Sequence, residues 1–413
     1  MTVPRTAVDL LDPRVHAEVD LRGVWRELRR REPVRWQPVD PARGAAVPGF
    51  WVVTRHADVT RALRDARTFS SEGGNMLATL LQGYDRGAGK MLVVTDGERH
   101  AALRRLLSGG FGPRQLGPVT ESIARATREL LAEAVARSGA GESVDFVAEV
   151  AAQVPLRAIC ELLGVPAADR AQVLELTNAA MLGEESTAAS VEARIAQSEI
   201  MRYYLRLAAE RREAPGSDII SLLVTSTVDG RPLTEEETLL NCYNLIIGGD
   251  ETARLSMAGG LLALAAHPGQ WARLRADASL VEPAAEEILR WTTPVAHVGR
   301  TAAVDTELGD GTRIAAGDAV TLWCASANFD EEAFDDPDRF DVGRDPNRHV
   351  TFGFGPHFCL GAQLARVEIR AMLAELRARV ASFEVTGPAP RLASNFVRGV
   401  SALPVAFRAT SEP

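Results

Sequence analysis

Apolar residues recur along most of the chain at spacings of three and four, interrupted by proline and glycine, and this period predicts a mainly helical protein. A few stretches alternate instead. GFWVVT at 49–54, Arg300 to Val304, Arg313 to Trp323 and the residues from Ala389 to the C-terminus read as strands, enough for small sheets only. No repeat, low-complexity tract or long linker divides the pattern, which points to one large, mainly α domain with small β-sheets. Two stretches fit neither period. Residues 71–95, SEGGNMLATLLQGYDRGAGKMLVVT, form a glycine-rich connection with apolar islands, of a length that in compact domains usually serves function. Residues 181–191, MLGEESTAASV, read as a joint between two helices.

One helical run is unusual. LTEEETLLNCYNLIIGGDETARLSMAGGLLALAAHP predicts a single helix of about 30 residues, long enough to cross a whole domain. Thr234 can cap its start with Glu237 completing a capping box, and Pro268 stops it. Its middle is costly. Gly248 and Gly249 each lose about 1 kcal/mol relative to alanine in a helix interior. Asp250 and Glu251 then set carboxylates inside an apolar element, and the Thr252 hydroxyl can bond back to the Gly248 carbonyl and open the helix. A tight helix crossing with an acidic outer face would explain this segment. So would a flat ligand lying against the glycines, with an acid and an alcohol beside it.

Composition narrows the classes. The chain has 413 residues, 46% of them hydrophobic and 24% charged, with 46 basic against 55 acidic residues and a net charge of −9, which argues against a general nucleic-acid binder. No apolar run approaches the roughly 20 residues that span a bilayer. The start, MTVPRTAVDLLDPRV, mixes charges into the place where a signal peptide needs an apolar core, so a cytoplasmic protein is expected. Cys160, Cys242, Cys324 and Cys359 are scattered, without CxxC or zinc-type spacing. The first three lie in apolar helical or strand patterns and read as small core hydrophobes.

Cys359 differs. It follows the glycine- and phenylalanine-rich TFGFGPHF and precedes LGAQLARVEIRAMLAELRARV, an amphipathic helix with Leu364, Val367, Met372, Leu376 and Val380 near one face. Free N–H groups and the positive helix end lower the pKa of a thiol so placed, which makes it a nucleophile or a soft metal ligand. His357 is the nearest base in sequence, but no Cys/His/Asn protease pattern surrounds it. An axial iron ligand fits better, since N–H donors to the sulfur tune its electron donation.

Phe352, Gly355, Cys359 and Gly361 match F-x-x-G-x-x-x-C-x-G, and with them the chain resembles the cytochrome P450 family from near Leu10 to its end. The other family motifs stand in the expected order: GGDET at 248–252, EILR at 287–290, PDRF with Arg339, and DGERHAALRR with His100 and Arg104. The resemblance implies a single P450 domain over 1–413, its smaller β-rich region formed from N-terminal, 295–325 and C-terminal segments. It implies haem b as cofactor, with Cys359 as iron ligand and Phe352 in the haem loop. Gly248 and Gly249 would let the helix approach the haem plane, and His100, Arg104, Arg300 and His357 would pair with its propionates. Buried carboxylates need such cations. Thr252 and Glu251 would deliver protons. Glu287, Arg290 and Arg339 would form a structural ionic triad, and pocket walls would come from Leu245, Val295, Val298, Phe396 and Val397 with the 71–95 and 181–191 stretches. Two departures are small: Asn328-Phe329-Asp330 stands where relatives often read N-R-D, and Pro356 stiffens the loop.

The implied activity is that of a bacterial-type haem-thiolate monooxygenase, inserting one oxygen atom of O2 into an apolar organic substrate. Hydroxylation or epoxidation of a secondary metabolite is the leading expectation; oxidative coupling or a carrier-protein-bound substrate is the alternative. A peroxygenase would lack the Glu251–Thr252 pair, and a haem-binding module without turnover would not need it. An acidic ferredoxin with its NAD(P)H-dependent reductase is the expected electron source, steered by Arg104, Arg105, Arg114, Arg348, Arg366 and Arg370 near the haem loop. A monomer is expected, with no nucleic-acid or membrane partner.

Overall fold

The long predicted helix forms over Glu235–Ala266, 32 residues and about 48 Å, and several other helices pack against it. The computed structural model describes residues 8–184 and 191–410. At the start of this central helix the Thr234 hydroxyl accepts from the Glu237 N–H at 3.1 Å, and the Glu237 carboxylate accepts from the Thr234 N–H at 2.8 Å. Arg231 and Arg99 brace the same carboxylate. The helix runs unbroken past its glycines: Thr252 Oγ1 donates to the Gly248 carbonyl at 2.9 Å, yet the expected opening does not occur. A hydroxyl can share a carbonyl with the ladder without displacing it.

Four helices flank this spine: Gln153–Leu163, Val191–Glu213, Val281–Thr292 and Ala362–Arg379. Close approach explains two glycines. A Cβ on Gly249 would lie 2.9 Å from the Ile159 side chain, and one on Gly260 2.8 Å from Ile288. Leu364, Met372 and Leu376 are buried as expected, but Val380 is not helical. It begins the strand Val380–Val385, because the helix ends at Arg379.

The principal sheet has five strands in the order Val34–Pro38, Gly49–Val53, Ala319–Leu322, Val298–Ala302, Phe69–Ser70. All neighbours are antiparallel except Ala319–Leu322 with Gly49–Val53. The single strand expected over Arg313 to Trp323 is two, Thr312–Ile314 and Ala319–Leu322. The chain turns between them at Gly317, whose φ of 90° is open to glycine at little cost. The C-terminal strand Pro404–Ala409 joins a separate sheet with Val380–Val385 and Val144–Asp145.

The 71–95 connection is packed. It contains the short helix Leu77–Gln82 with Leu77, Leu80 and Leu81 buried, and Asn241 of the central helix bonds the Lys90 carbonyl and the Leu92 N–H. Of the expected 181–191 joint, residues 185–190 lie outside the described residues; the helices Arg170–Glu184 and Val191–Glu213 flank them. Among the described residues no helix is long and apolar enough to cross a membrane.

Candidate active site

The loop before the last long helix is shaped by Gly353 and Gly355, at φ 68° and 72°. A Cβ on Gly355 would also lie 2.8 Å from the Leu63 carbonyl oxygen, so a side chain there is excluded twice. The loop closes on itself where the Cys359 N–H donates to the Phe352 carbonyl at 2.8 Å. Phe352 is buried, with the Arg366 guanidinium 4.7 Å from its ring centroid. Cys359 is solvent-accessible although many protein atoms crowd around it. Burial pushes its thiol pKa up, while the Gly361 N–H, Arg104 and Arg366 act in the other direction. The sequence argument expected a lowered value. Desolvation is the larger effect and the N–H and cationic contributions oppose it.

Gly248 is the other open surface. It is exposed in the middle of a largely buried helix, and a Cβ there would meet no atom within 4 Å. Gly249 is instead covered by Ile159. Of the two glycines, Gly248 is the one whose Cβ position is open.

Beside the cysteine loop, the imidazoles of His100 and His357 and the guanidiniums of Arg104 and Arg300 gather around one carboxylate, Asp96. His100, on the helix Gly97–Gly110, is buried with Nε2 unpartnered among the described residues, and its ring lies 4.2 Å from that of His357. His357 Nε2 bonds Asp96 at 2.8 Å, and Asp96 also accepts from the Ser70 hydroxyl and from the Ser71 N–H and hydroxyl. Burial pushes the Asp96 carboxyl up, but the bonds from His357, Ser70 and Ser71 outweigh it and hold it well below the usual range. Burial lowers His100 to about 4, helped by the charges of His357 and Arg104. Arg300 is 2% exposed and donates only to the Gly299 carbonyl at 2.7 Å, with Nε unpartnered among the described residues. Burial pushes it down to about 10, against the pull of Asp96. Among the described residues no carboxylate forms an ion pair with this buried guanidinium, which is costly, and a bound dianion would relieve it.

The family model for cytochrome P450 matches residues 169–388. A relative from Streptomyces niveus, cytochrome P450 NovI, is 43% identical over 96% of both chains. A steroid C26-monooxygenase from Rhodococcus jostii is 36% identical over 98% of this chain and 85% of its own. Among solved structures, P450 OxyD, involved in the biosynthesis of vancomycin-type antibiotics, superposes with a TM-score of 0.87 at 35% identity, covering 98% of this chain and 100% of that one.

The chain is a cytochrome P450. It is a monooxygenase by family, and its cofactor is haem b.

The residues of this P450 fit that cofactor. An exposed sulfur on a glycine-shaped loop, a bare helix face at Gly248, and unpartnered nitrogens on the buried His100 imidazole and Arg300 guanidinium suit an iron-bearing plane with two carboxylates. Arg104 is half-buried nearby. Glu251 is 2% exposed and ion-paired to Arg254, so the structure holds it in a closed pair rather than free beside Thr252.

Sequence reasoning placed Asp250 in an apolar helix without foreseeing its isolation, and missed Glu368. Asp250 is fully buried with both oxygens unpartnered among the described residues, and burial lifts its carboxyl to about 7, with Glu251 adding and Arg254 opposing. Glu368, on the helix after the cysteine, is likewise buried and unpartnered, raised well above the carboxylate range by burial and by Asp250. Folded Asp250 therefore keeps a proton that the unfolded chain releases near pH 3.8. Its contribution to stability is full below about pH 4 and falls, by up to about 4 kcal/mol, as pH rises to about 7. Asp250→Asn should flatten that slope in melting temperatures taken from pH 4 to 8, and should melt higher than wild type above pH 7.

The cysteine loop is held from behind by an ionic network. Arg290 and Glu287, both 0% exposed, form a bidentate pair at 2.8 Å and 2.8 Å. Arg290 also bonds the Asn328 and Pro337 carbonyls, and the Asn328 amide bonds the Val350 N–H and the Thr351 hydroxyl at the loop's start. The third cation is Arg344, 3.1 Å from Glu287, and not the expected Arg339. Arg339 lends only its carbonyl, to Arg290 and Arg344; its side chain is 61% exposed, beside Asp341. Arg344→Met should cost about 1–3 kcal/mol by leaving Glu287 under-bonded. Haem content should fall with it, while Arg339→Met should leave melting and haem content nearly unchanged.

The expected pocket residues fall in two groups. Val295 pairs with Val397 in an isolated bridge, and the Ala296 N–H donates to the Phe396 carbonyl at 2.7 Å, so these two segments lie side by side. Leu245 stands on the central helix, three residues before Gly248.

Proposed function

We propose that this P450 inserts one oxygen atom into an apolar organic substrate as a tailoring step of bacterial secondary metabolism. The observation carrying the chemistry is the open Gly248 face, with the Thr252 hydroxyl anchored to the Gly248 carbonyl, in a fold that also leaves Cys359 exposed. The relatedness to OxyD supports the metabolic setting. Bound here, haem would supply the iron at which O2 is activated. Cys359 would ligate that iron, and His100, Arg104, Arg300 and His357 would hold the carboxylates. Because the Thr252 proton is committed to the Gly248 carbonyl, its lone pairs are left to accept from a water or another proton donor. Glu251 must leave Arg254 before it can carry protons inward. The wall of Val295, Val298, Phe396 and Val397 favours an apolar substrate.

Electrons come from an acidic ferredoxin and its NAD(P)H-dependent reductase. Arg366 and Arg370 are occupied by Glu286 and Glu282, so the steering charge rests on exposed Arg105, Arg114 and Arg348. With a ferredoxin–reductase pair, metabolites that drive the ferric protein to high spin should be converted to products one oxygen heavier. Reduction should slow as salt rises and slow further in Arg105→Glu with Arg348→Glu. Rates indifferent to both salt and charge reversal would remove the acidic partner, and high-spin ligands that are never oxygenated would remove the reaction.

A further inference from the structure

His297 has no place in the chemistry above, yet it is 0% exposed and both ring nitrogens are engaged. The Leu77 N–H donates to Nε2 at 3.2 Å, so Nε2 carries no proton. The proton is therefore on Nδ1, which donates to the Asn395 carbonyl at 3.0 Å. Burial keeps the ring neutral by lowering its pKa to about 3, consistent with that assignment. The ring packs against Trp323 and Phe396, with centroids 4.8 and 5.6 Å away.

The two bonded segments are far apart in sequence. Leu77 opens the short helix Leu77–Gln82, whose N-cap residue Met76 makes no side-chain cap, so the imidazole supplies an acceptor the local sequence lacks. Asn395 immediately precedes Phe396 and Val397. Backbone bonds draw the same strips together on either side of His297: the Gly299 N–H to the Asn75 carbonyl at 2.7 Å, and the Arg398 N–H to the Pro294 carbonyl at 2.8 Å. Gly299 can have no side chain there, since a Cβ would lie 2.6 Å from Leu80 and 3.0 Å from the Asn75 backbone.

We propose that His297 is a positioning residue for substrate selectivity, clamping the 71–95 connection and the 395–397 turn to the 295–298 wall so that three pocket segments are set by one buried side chain. It touches no substrate. It decides how far apart the segments that do so stand. The inference rests on the P450 reading of the pocket, and of the ring's protonation states only the neutral Nδ1–H tautomer meets both demands: an acceptor for Leu77 and a donor for Asn395.

Three variants of the haem-loaded protein separate the two bonds. His297→Gln keeps an acceptor near the Nε2 position, His297→Asn keeps a donor near Nδ1, and His297→Leu keeps neither. Amide hydrogen exchange read by NMR or mass spectrometry should show the Leu77 N–H losing at least about tenfold protection in the Leu and Asn variants and recovering in the Gln variant. Optical titration with 1-phenylimidazole and 4-phenylimidazole should show their affinity ratio changing several-fold in the Leu variant and partly restored by Gln or Asn. The thiolate-type carbon-monoxide band should persist in all three. Undiminished Leu77 protection in the Leu variant would overturn the clamp. Lost protection with an unchanged affinity ratio would reduce His297 to a stabilising residue and overturn its role in selectivity. Wild type lacking the thiolate band would instead count against the P450 reading on which the proposal stands.

Discussion

Cys359→His should take up haem but lose the strongly red-shifted Soret band of the reduced carbon-monoxide complex, and oxygenation should fall to background. The loop that presents residue 359 is held independently of the sulfur, by the Cys359 N–H bond to Phe352, the glycine turns, and the Asn328 amide bonded to Val350 and Thr351. The cations offered to the carboxylates are untouched as well. A ligand change at one atom should therefore alter electron donation without emptying the site. Haem content by pyridine haemochrome and the carbon-monoxide difference spectrum together check this. Retention of the thiolate band in Cys359→His would show that another sulfur ligates the iron, although Cys160, Cys242 and Cys324 are all buried with burial-raised pKa values near 12.

Thr252→Ala should keep haem content and substrate binding while diverting reducing equivalents from product to hydrogen peroxide. Its hydroxyl is bonded back to Gly248, so removing it costs the helix little and leaves the ladder intact. What disappears is the acceptor that holds a proton donor beside the bare glycine face. Glu251→Gln should act differently, slowing turnover about 10²–10⁴-fold, the usual worth of a positioned acid–base group. The loss should fall on kcat because the carboxylate must open from Arg254 to serve. Product and peroxide formed per nicotinamide consumed distinguish the two variants. Full coupling in Thr252→Ala would mean that the substrate itself supplies a hydroxyl there, or that Thr252 plays no part. A substrate analogue without hydroxyls decides between them.

Local spacing carried much of this into the sequence. A capping box, a helix-stopping proline and a 3.6 period need only neighbours in the chain, so the central helix was legible to within a residue or two. The cysteine loop was legible for the same reason: its turn glycines and the helix that follows lie within a few residues of the thiol. Even the Glu251–Arg254 pair, three residues apart on a helix, left a signal that could have been read.

What sequence could not decide was which of two equivalent neighbours faces inward. Gly248 and Gly249 are alike in composition and adjacent in the chain, but Ile159 from another helix covers one and leaves the other bare. Arg339 and Arg344 lie in one loop, and the path of that loop turns Arg344 toward Glu287 and Arg339 outward. Asp250 and Glu368 acquire raised pKa values because helices distant in sequence bury both, and His297 finds its partners 220 and 98 residues away. Sequence by itself determined the central helix and the glycine turns around Cys359, because spacing encodes them at short range. The burial and closing distances of the side chains were left to the tertiary structure, since desolvation and hydrogen-bond partners depend on segments that only packing brings together.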